Sequence, residues 1–454
     1  MFAGLDFGTS NSALGIYIEN QVKLLSLYQD EKYLPSTLYT FDRSLICDYI
    51  YQNLSLQQKE PFKQSHLKQL QSAQSFKRYE GFNNTDICNF FGKQAIENYI
   101  ENPEEGVFIK SPKSFLGSIG LTSTQINFFE DLVCSMLLNI KTIAEKQTQQ
   151  SISKVVIGRP VNFQGVNSEK SNQQAIEIIT KAAKVCGYKE IEFLYEPLAA
   201  GVDFETSLKK DQIVLVVDIG GGTTDCSMVK MGPSHVKKDD RKQDFLAHTG
   251  QRIGGNDLDI LLAYHTLMPL FGRGSQLKRK DISMPDAIFW YAVSINNVGD
   301  QAKFSSPPFA RELKAKLMDA KQPELFKRLI YLQSSKQNHR LVRSAELAKI
   351  ALSNSATKKI NLDYIETELS KDIDQSSFEL AVKRPLEAIK KSIQEAINLA
   401  QTTPDLVYIT GGTAKSPTVR KAIEEIIPNV TILDGDYYGS VAAGLTKWAK
   451  KIWS

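Results

Sequence analysis

The chain is poor in the residues that build disulfide frameworks and zinc sites. Its 454 residues include five cysteines, at positions 47, 88, 134, 186 and 226, and no two of them form a C-x-x-C pair. Scattered cysteines without paired spacing predict neither a disulfide scaffold nor a zinc site. Cys226, which follows an acid, is expected to pack as a small apolar residue.

Long apolar runs and a strong charge of one sign are also missing. The sequence has no run of about 18 apolar residues, the length that would predict a membrane helix, and it opens on a strand pattern rather than a signal peptide. The formal net charge of +4 is too small to indicate a nucleic-acid partner. The basic runs at 237–242 and 273–280 lack an aromatic platform and are expected to be solvated loops. We therefore expect a cytoplasmic protein that contacts neither nucleic acid nor membrane.

The most informative stretch runs from Ile213 to Asp225 and reads IVLVVDIGGGTTD. Its apolar run predicts a strand buried on both faces. The three glycines predict a tight turn whose N–H groups suit a phosphate, and Thr223 and Thr224 add hydroxyl groups. Asp218 would repel phosphates unless a divalent cation such as Mg²⁺ lay between them. The alternative is a glycine-rich hairpin without chemical function.

A second copy of this pattern opens the chain, which reads MFAGLDFGTSN. Here a short apolar strand leads to Asp6, then to Gly8 and hydroxyl-bearing residues. Two copies of one phosphate-facing hairpin indicate two lobes of the same topology that close on one Mg-nucleotide. We expect lobe I at 1–207, lobe II at 208–435 with an insertion near 265–338, and a C-terminal helix at 436–454 that returns to lobe I.

Three further motifs each allow a functional and an ordinary interpretation. Lys110 and Lys113 follow a strand in VFIKSPKSFLG, and either could reach a site or stay on the surface. Glu196, in FLYEPLAAG, ends a strand before a proline and small residues; it could point at the same centre or only favour a helix N-terminus. Glu346 and Lys349 share a helix face, where a surface ion pair would contribute little.

Together these motifs resemble the nucleotide-binding domain of the 70-kDa heat-shock chaperones (DnaK type), within the actin and sugar-kinase superfamily, and in particular its short YegD-like members. The likeness covers nearly the whole chain apart from 265–338, with the motifs in the family's order. It implies an α/β, actin-like (ribonuclease H-like) ATPase fold of two duplicated lobes around a central nucleotide cleft. It also implies ATP or ADP with Mg²⁺ as ligands, slow hydrolysis, and another protein as partner: a co-chaperone, an exchange factor or a client.

The resemblance assigns roles to the residues at matching positions. The implied catalytic residues are Asp6, Lys113, Glu196, Asp218 and Thr223, of which Asp6 and Asp218 would hold Mg²⁺ largely through water. The implied nucleotide-contacting residues are Gly8, Thr9, Ser10, Asn11, Gly220, Gly221, Gly222, Thr223, Thr224, Gly254, Gly255, Glu346, Lys349, Ser353, Gly411, Gly412 and Lys415.

The sequence departs from the family pattern at three points. Lys415 stands where the family usually has an arginine that stacks on adenine, and the two side chains are not interchangeable. Gln173 stands where the family has an arginine that, with a strand-end proline (here Pro160), relays the nucleotide state. Because the chain ends at Ser454, we expect no interdomain linker, client-binding β-sandwich or helical lid.

These features leave several functions open. The chain could be a slow ATPase that acts as a chaperone, or an ATP switch that regulates a protein partner without binding clients. It could also be a small-molecule kinase of the same superfamily, with an acceptor pocket built by the insertion, or an actin-like scaffold whose assembly ATP controls. A shared fold does not decide between them.

Overall fold

The computed structural model describes residues 1–83, 85–163, 168–236, 238, 241–278, 282–436 and 439–454. The strands, in chain order, are β1 (Phe2–Phe7), β2 (Asn11–Ile18), β3 (Gln21–Leu24), β4 (Leu34–Pro35), β5 (Thr37–Thr40), β6 (Asn89–Phe91), β7 (Val107–Lys110), β8 (Lys154–Arg159), β9 (Glu190–Tyr195), β10 (Gln212–Ile219), β11 (Thr224–Met231), β12 (Phe245–Gln251), β13 (Thr357–Asn361), β14 (Ser370–Asp374), β15 (Leu406–Thr410) and β16 (Thr431–Asp434).

Helices separate most of these strands. They are α1 (Ser44–Asn53), α2 (Leu56–Ser65), α3 (Leu67–Glu80), α4 (Lys93–Glu101), α5 (Ser123–Thr148), α6 (Ser168–Val185), α7 (Glu196–Glu205), α8 (Pro233–Val236), α9 (Gly255–Leu262), α10 (Asp286–Val293), α11 (Val298–Phe304), α12 (Pro307–Asp319), α13 (Pro323–Ser334), α14 (Asn338–Leu352), α15 (Gln375–Ala400), α16 (Pro417–Ile426) and α17 (Ser440–Trp453). None of the described helices is both long enough and apolar enough to cross a lipid bilayer.

Two sheets share one topology, which confirms the duplication inferred from the hairpins. The first has the order β3-β2-β1-β8-β9, with β4 also pairing with β2, and the second has the order β12-β11-β10-β15-β16. In each sheet the hairpin strands pair antiparallel, and two later strands add in parallel. The apolar runs at Val155 and Leu406 supply the central parallel strands, as their buried pattern predicts.

The described residues form two compact units. The first unit contains residues 1–252, 389–414 and 423–454, and the second contains 253–388 and 415–422. Both duplicated sheets lie in the first unit, together with α7 and α17. The second unit contains α9 to α14 and the β13–β14 hairpin. The lobe boundaries expected near 207 and 435 stay predictions.

Helices α7 and α17 pack against each other with almost no side chain between their backbones. A Cβ added at Gly444 would lie 1.7 Å from the carbonyl oxygen of Ala199, and one added at Gly4 of β1 would lie 2.3 Å from the backbone nitrogen of Thr446. Glycine is therefore required at both contacts. The small residues that the sequence shows at the start of each helix are explained by this close approach.

Residues 265–338 are largely helical. Helices α10 to α13 fall within 265–338, and the interpretation of this segment as an insertion stays a prediction. Residues 237, 239–240 and 279–281 of the basic segments, and Tyr438 before α17, lie outside the described residues. The expectation of a solvated loop is wrong for Arg241, which is buried because its guanidinium donates to both carboxylate oxygens of Glu205.

We predict that Gly444→Ala destabilises the protein by about 2 kcal/mol, because overpacking costs more than alanine's helix propensity gains. The neighbouring atom is a backbone carbonyl, so the helices must move apart. Urea unfolding of the purified chain measures the change. The control is Gly299→Ala in α11, where the nearest atom to the new Cβ is at 3.3 Å and stability should rise slightly. Equal effects of the two substitutions would contradict the packing argument.

Candidate functional site

The two duplicated hairpins place acids at equivalent positions in the first unit. Asp6 lies near the end of β1 and Asp218 near the end of β10. In the strand register, Asp6 faces Ala13 of β2, whereas Asp218 faces Asp225 of β11. The second hairpin therefore contributes two carboxylates where the first contributes one.

The turns of the two hairpins approach each other through glycine. A Cβ added at Gly221 would lie 1.8 Å from Oγ of Ser10, and one added at Gly222 would lie 2.8 Å from Cγ2 of Thr9. The Gly220 N–H donates to the Thr223 carbonyl at 3.0 Å and closes the second turn. The structure thus brings the predicted phosphate-facing turns together, and glycine at positions 221 and 222 allows Ser10 and Thr9 to lie this close.

Other predicted residues of these hairpins are held by the backbone around them. A Cβ added at Gly8 would lie 2.2 Å from the Asn11 carbonyl oxygen, and the Gly8 carbonyl accepts a hydrogen bond from the Ser36 hydroxyl at 2.7 Å. Thr224 is fully buried at the start of β11. The first turn is therefore held in place by its contacts with Asn11 and Ser36.

Lys113 and Glu196 form a buried ion pair in the first unit. Lys113 lies on a short 3₁₀ turn, Pro112–Phe115, which follows Ser111 in a left-handed backbone conformation with φ of 57°. Glu196 is the first residue of α7, before Pro197. The Lys113 ammonium donates to Oε1 of Glu196, and the two residues are 4% and 8% exposed. The surface interpretation of Lys113 is therefore wrong.

Asp225 is a buried site residue that the sequence interpretation missed. It is 1% exposed, and its Oδ1 accepts the Val161 N–H at 2.7 Å. Its Oδ2 is buried without a hydrogen-bond partner among the residues that the structure describes. The signal was present in the sequence, because a tight hairpin with Asp218 on one strand places Asp225 directly across from it.

Burial and mutual repulsion weaken the acidity of these carboxyl groups. Burial, and then the charge of Glu196, raise the pKa of Asp6 to about 7, and the same two causes raise the pKa of Asp225 to about 7. Burial, followed by Glu196, Asp225 and Asp6, raises the pKa of Asp218 well above its usual range. Lys113 lowers all three pKa values, yet it does not offset the repulsion.

This donor set fits a hard divalent cation. The groups are oxygens, which Mg²⁺ prefers, and Lys113 only partly offsets the charge of the clustered carboxylates. The unpartnered Oδ2 of Asp225 also requires a donor or a cation-bound water. No three acidic, histidine or cysteine side chains among the described residues form a direct metal-binding group. The predicted mode, with Asp6 and Asp218 acting largely through water, does not require such a group.

The residues predicted to contact adenosine lie mostly in the second unit. Gly254 precedes α9 in an extended conformation, and its N–H donates to the Asp257 carboxylate at 2.9 Å. Lys349 of α14 pairs with Asp259 at 2.7 Å and donates to the Gly255 carbonyl at 3.2 Å. These contacts join Lys349 to the predicted Gly254–Gly255 turn.

The other two residues of the predicted adenosine clamp lie on or beside α14. Glu346 pairs with Arg343 at 3.0 Å, and Ser353 follows the last residue of the helix. Glu346, Lys349 and Ser353 therefore lie on successive turns at the C-terminal end of α14.

The last predicted turn is divided between the units. Gly411 has a φ of 84°, and a Cβ added there would lie 2.3 Å from the Ile219 carbonyl oxygen and 2.6 Å from Oδ1 of Asp218. Gly412, also of the first unit, begins the short 3₁₀ helix Gly412–Lys415. Lys415 belongs to the second unit and is exposed. Only glycine fits beside Asp218 here, which explains the Gly-Gly turn after β15.

Gln173 contacts its own helix rather than the segment that follows β8. Its amide donates to Glu177 at 2.9 Å. The neighbouring Asn172 instead accepts the Phe163 N–H at 2.8 Å and donates to the Val161 carbonyl at 3.2 Å. Since Val161 also donates to Asp225, a hydrogen-bonded chain connects the site with α6 through Asn172.

We predict that Asp225→Asn stabilises the ligand-free protein at pH 8 by on the order of 2 kcal/mol. A carboxyl group whose pKa rises to about 7 on folding binds more protons in the folded than in the unfolded state. Its contribution to stability is therefore present below roughly pH 4 and is lost as the pH rises to 7. Thermal unfolding of wild type and variant between pH 4 and pH 8 measures the difference, which should shrink towards pH 4. A constant difference would show that Asp225 does not titrate in this range.

Comparisons with known proteins agree with this geometry. The family described as Hsp70 protein matches residues 2–284 and 323–436. The chaperone protein dnaK of Emiliania huxleyi is 21% identical over 443 residues, which cover 94% of this chain and 57% of that protein. The chaperone protein HscA homolog of Rickettsia africae is 23% identical over 268 residues, which cover 58% of this chain and 37% of that protein. The HscA homolog of Rickettsia conorii gives the same identity and coverage.

The matched residues include both phosphate-facing hairpins, Lys113 and Glu196, and they cover most of the chain. The chain spans 57% or less of the length of these relatives, so the likeness concerns the part of them that it matches. The residues of this chain that the family matches carry the duplicated sheets and the hairpin acids described above. The chain belongs to the Hsp70 family and has its actin-like ATPase fold.

Proposed function

We propose that the protein binds Mg-ATP and hydrolyses it slowly, and that it acts as a DnaK-like chaperone or as an ATP-dependent switch of a protein partner. The observation that carries this proposal is the buried Lys113–Glu196 pair beside three acids and two glycine turns of one duplicated topology. Such a set suits charged phosphates rather than an apolar ligand. The named chaperones among its relatives support the chaperone class. A cytoplasmic location remains a prediction.

Asp6 and Asp218 would hold Mg²⁺ largely through water, and the bound ion would supply positive charge against the phosphate oxygens. The turns at Gly8 and Gly221 would offer backbone N–H groups to the same oxygens. Lys113, which is fixed by Glu196, would donate to the transferring γ-phosphoryl group. Positioning and electrostatics therefore carry the reaction.

Glu196 would orient the attacking water, because its carboxylate lies beside the Lys113 ammonium. A general base works best when its pKa lies near the operating pH. We propose Asp6 or Asp218 as the acceptor of that water's proton; Asp225, whose pKa is also raised in the metal-free chain, lies across the hairpin from Asp218.

Lys113→Ala should slow single-turnover hydrolysis by roughly 100-fold, the cost of removing one preorganised donor, while ATP binding weakens less.

Asp218→Asn should weaken Mg-ATP binding about 10-fold or more, because a carboxylate on the metal side is lost. Isothermal titration with Mg-ATP, followed by single-turnover hydrolysis on the same samples, separates the two effects.

Lys110→Ala is the matched control, since Lys110 precedes the turn on β7 and is not assigned to the site. It should hydrolyse ATP within about 2-fold of wild type. If the wild-type chain bound no Mg-ATP, the proposed function would be wrong. If Lys113→Ala and Lys110→Ala were equally active, the role of Lys113 would be wrong.

Lys415→Arg should tighten ATP binding several-fold. Lys415 occupies the position of the family's adenine-stacking arginine and is exposed, and a planar guanidinium stacks on an aromatic base better than an ammonium does. Titration with Mg-ATP measures the gain, and Mg-tripolyphosphate, which lacks the base, should show none. Lys421→Arg, on α16, is the control. An equal gain for tripolyphosphate would exclude base stacking as the cause.

A further inference from the structure

A small pocket lies in the first unit at the C-terminal ends of α7 and α17, apart from the proposed nucleotide site. Its volume is about 280 Å³, and its lining includes Tyr17, Val202, Arg241, Trp448, Lys450 and Lys451. Aromatic and aliphatic side chains form its walls. The pocket is therefore apolar inside and cationic at its edge.

Two of the lysines at this pocket have only neutral partners. The Lys450 ammonium lies 4.0 Å from the centroid of the Tyr17 ring and donates to Oδ1 of Asn20 at 3.3 Å. The Lys451 ammonium lies 5.8 Å from the Trp448 ring and donates to the Lys238 carbonyl. Neither lysine pairs with a carboxylate among the described residues, so both retain their positive charge for a ligand.

The other basic groups of the pocket are already neutralised. Lys447 pairs with Asp203 at 2.8 Å. Arg241 donates to both oxygens of Glu205, at 2.5 and 2.9 Å, and to Asp244 at 2.9 Å. These pairs, of which those of Arg241 are buried, fix one side of the pocket and leave the excess charge on Lys450 and Lys451.

We propose that this pocket binds an acidic peptide segment of a partner protein, anchored by one apolar side chain. Two ammonium groups that have no carboxylate partner among the described residues are complementary to neighbouring carboxylates of a ligand. The volume is slightly below the range typical of small-molecule sites and suits one or two side chains. Trp448 and Val202 offer an apolar wall to an anchor residue, as interface pockets do.

The location connects this pocket to the proposed ATP site. Helix α7 begins at Glu196, which pairs with Lys113, and ends at Glu205, which pairs with Arg241. Ten helical residues span about 15 Å. The inference thus deepens the proposed function, on which its biological meaning rests, by naming the chemistry of the partner. The peptide binding itself can be measured without nucleotide.

The test is isothermal titration of the nucleotide-free full chain with the peptide acetyl-Asp-Asp-Leu-Asp-Asp-amide. We expect a dissociation constant between about 10 µM and 1 mM that weakens with salt. The double variant Lys450→Glu, Lys451→Glu should bind at least 10-fold more weakly. Lys68→Glu, an exposed lysine of α3 outside the pocket, should bind like wild type. The peptide acetyl-Ser-Ser-Leu-Ser-Ser-amide should bind at least 10-fold more weakly than the acidic one.

Several outcomes would overturn the proposal. These are no binding of the acidic peptide below about 1 mM, equal binding by the double variant with unchanged thermal unfolding, or equal binding of the serine peptide. Co-sedimentation with phosphatidylserine vesicles gives another outcome that would overturn it. If wild type, but not the double variant, sedimented with vesicles and the peptide did not bind, the lysines would recognise a lipid headgroup instead. The peptide titration contains no nucleotide, so its result can be interpreted even if the protein does not bind ATP.

Discussion

The contact between α7 and α17 fixes the geometry of the site. Gly444 of α17 lies against the Ala199 carbonyl of α7, and Thr446 of α17 lies against Gly4 of β1. Glu196 begins α7, and Asp6 lies two residues after Gly4 on β1. One helix therefore sets the separation of two elements that carry site residues. A close backbone contact has little freedom to adjust, so it positions these groups more sharply than flexible side chains would.

The same rigidity confines acids that repel one another. Burial and the charge of Glu196 raise the pKa values of Asp6 and Asp225 to about 7, so the folded protein resists ionising them. This cost is present in the ligand-free chain when the acids are ionised, and it falls when they are protonated or when a cation enters the site. The clustered acids thus lower the stability of the ligand-free protein, as is common where charged groups are preorganised for function. The glycine turns add to this constraint, since side chains at Gly221 and Gly222 would collide with Ser10 and Thr9.

The sequence predicted the site residues that belong to local patterns. It missed those whose roles depend on strand pairing or on contacts between distant residues. Asp6 and Asp218 were predicted because each ends an apolar run before glycine, and the repeated pattern revealed the duplicated sheets. Asp225 was missed because its role depends on lying opposite Asp218 in the hairpin. Arg241 was taken for a solvated residue because its neighbours are polar, whereas its partner Glu205 lies 36 positions away.

The relation between Lys113 and Glu196 gives a physical reason to expect slow turnover, if the proposed hydrolysis takes place at this site. In the ligand-free chain the Lys113 ammonium already donates to Glu196, and both groups are buried. Much of the cost of removing this charge from water has therefore been met by folding. A phosphoryl group that arrives must share the ammonium with Glu196, so it gains less than a full positive charge. In the proposed reaction the pair would hold the lysine in place and limit how strongly it stabilises the transition state, which suits the proposed switch better than a fast enzyme.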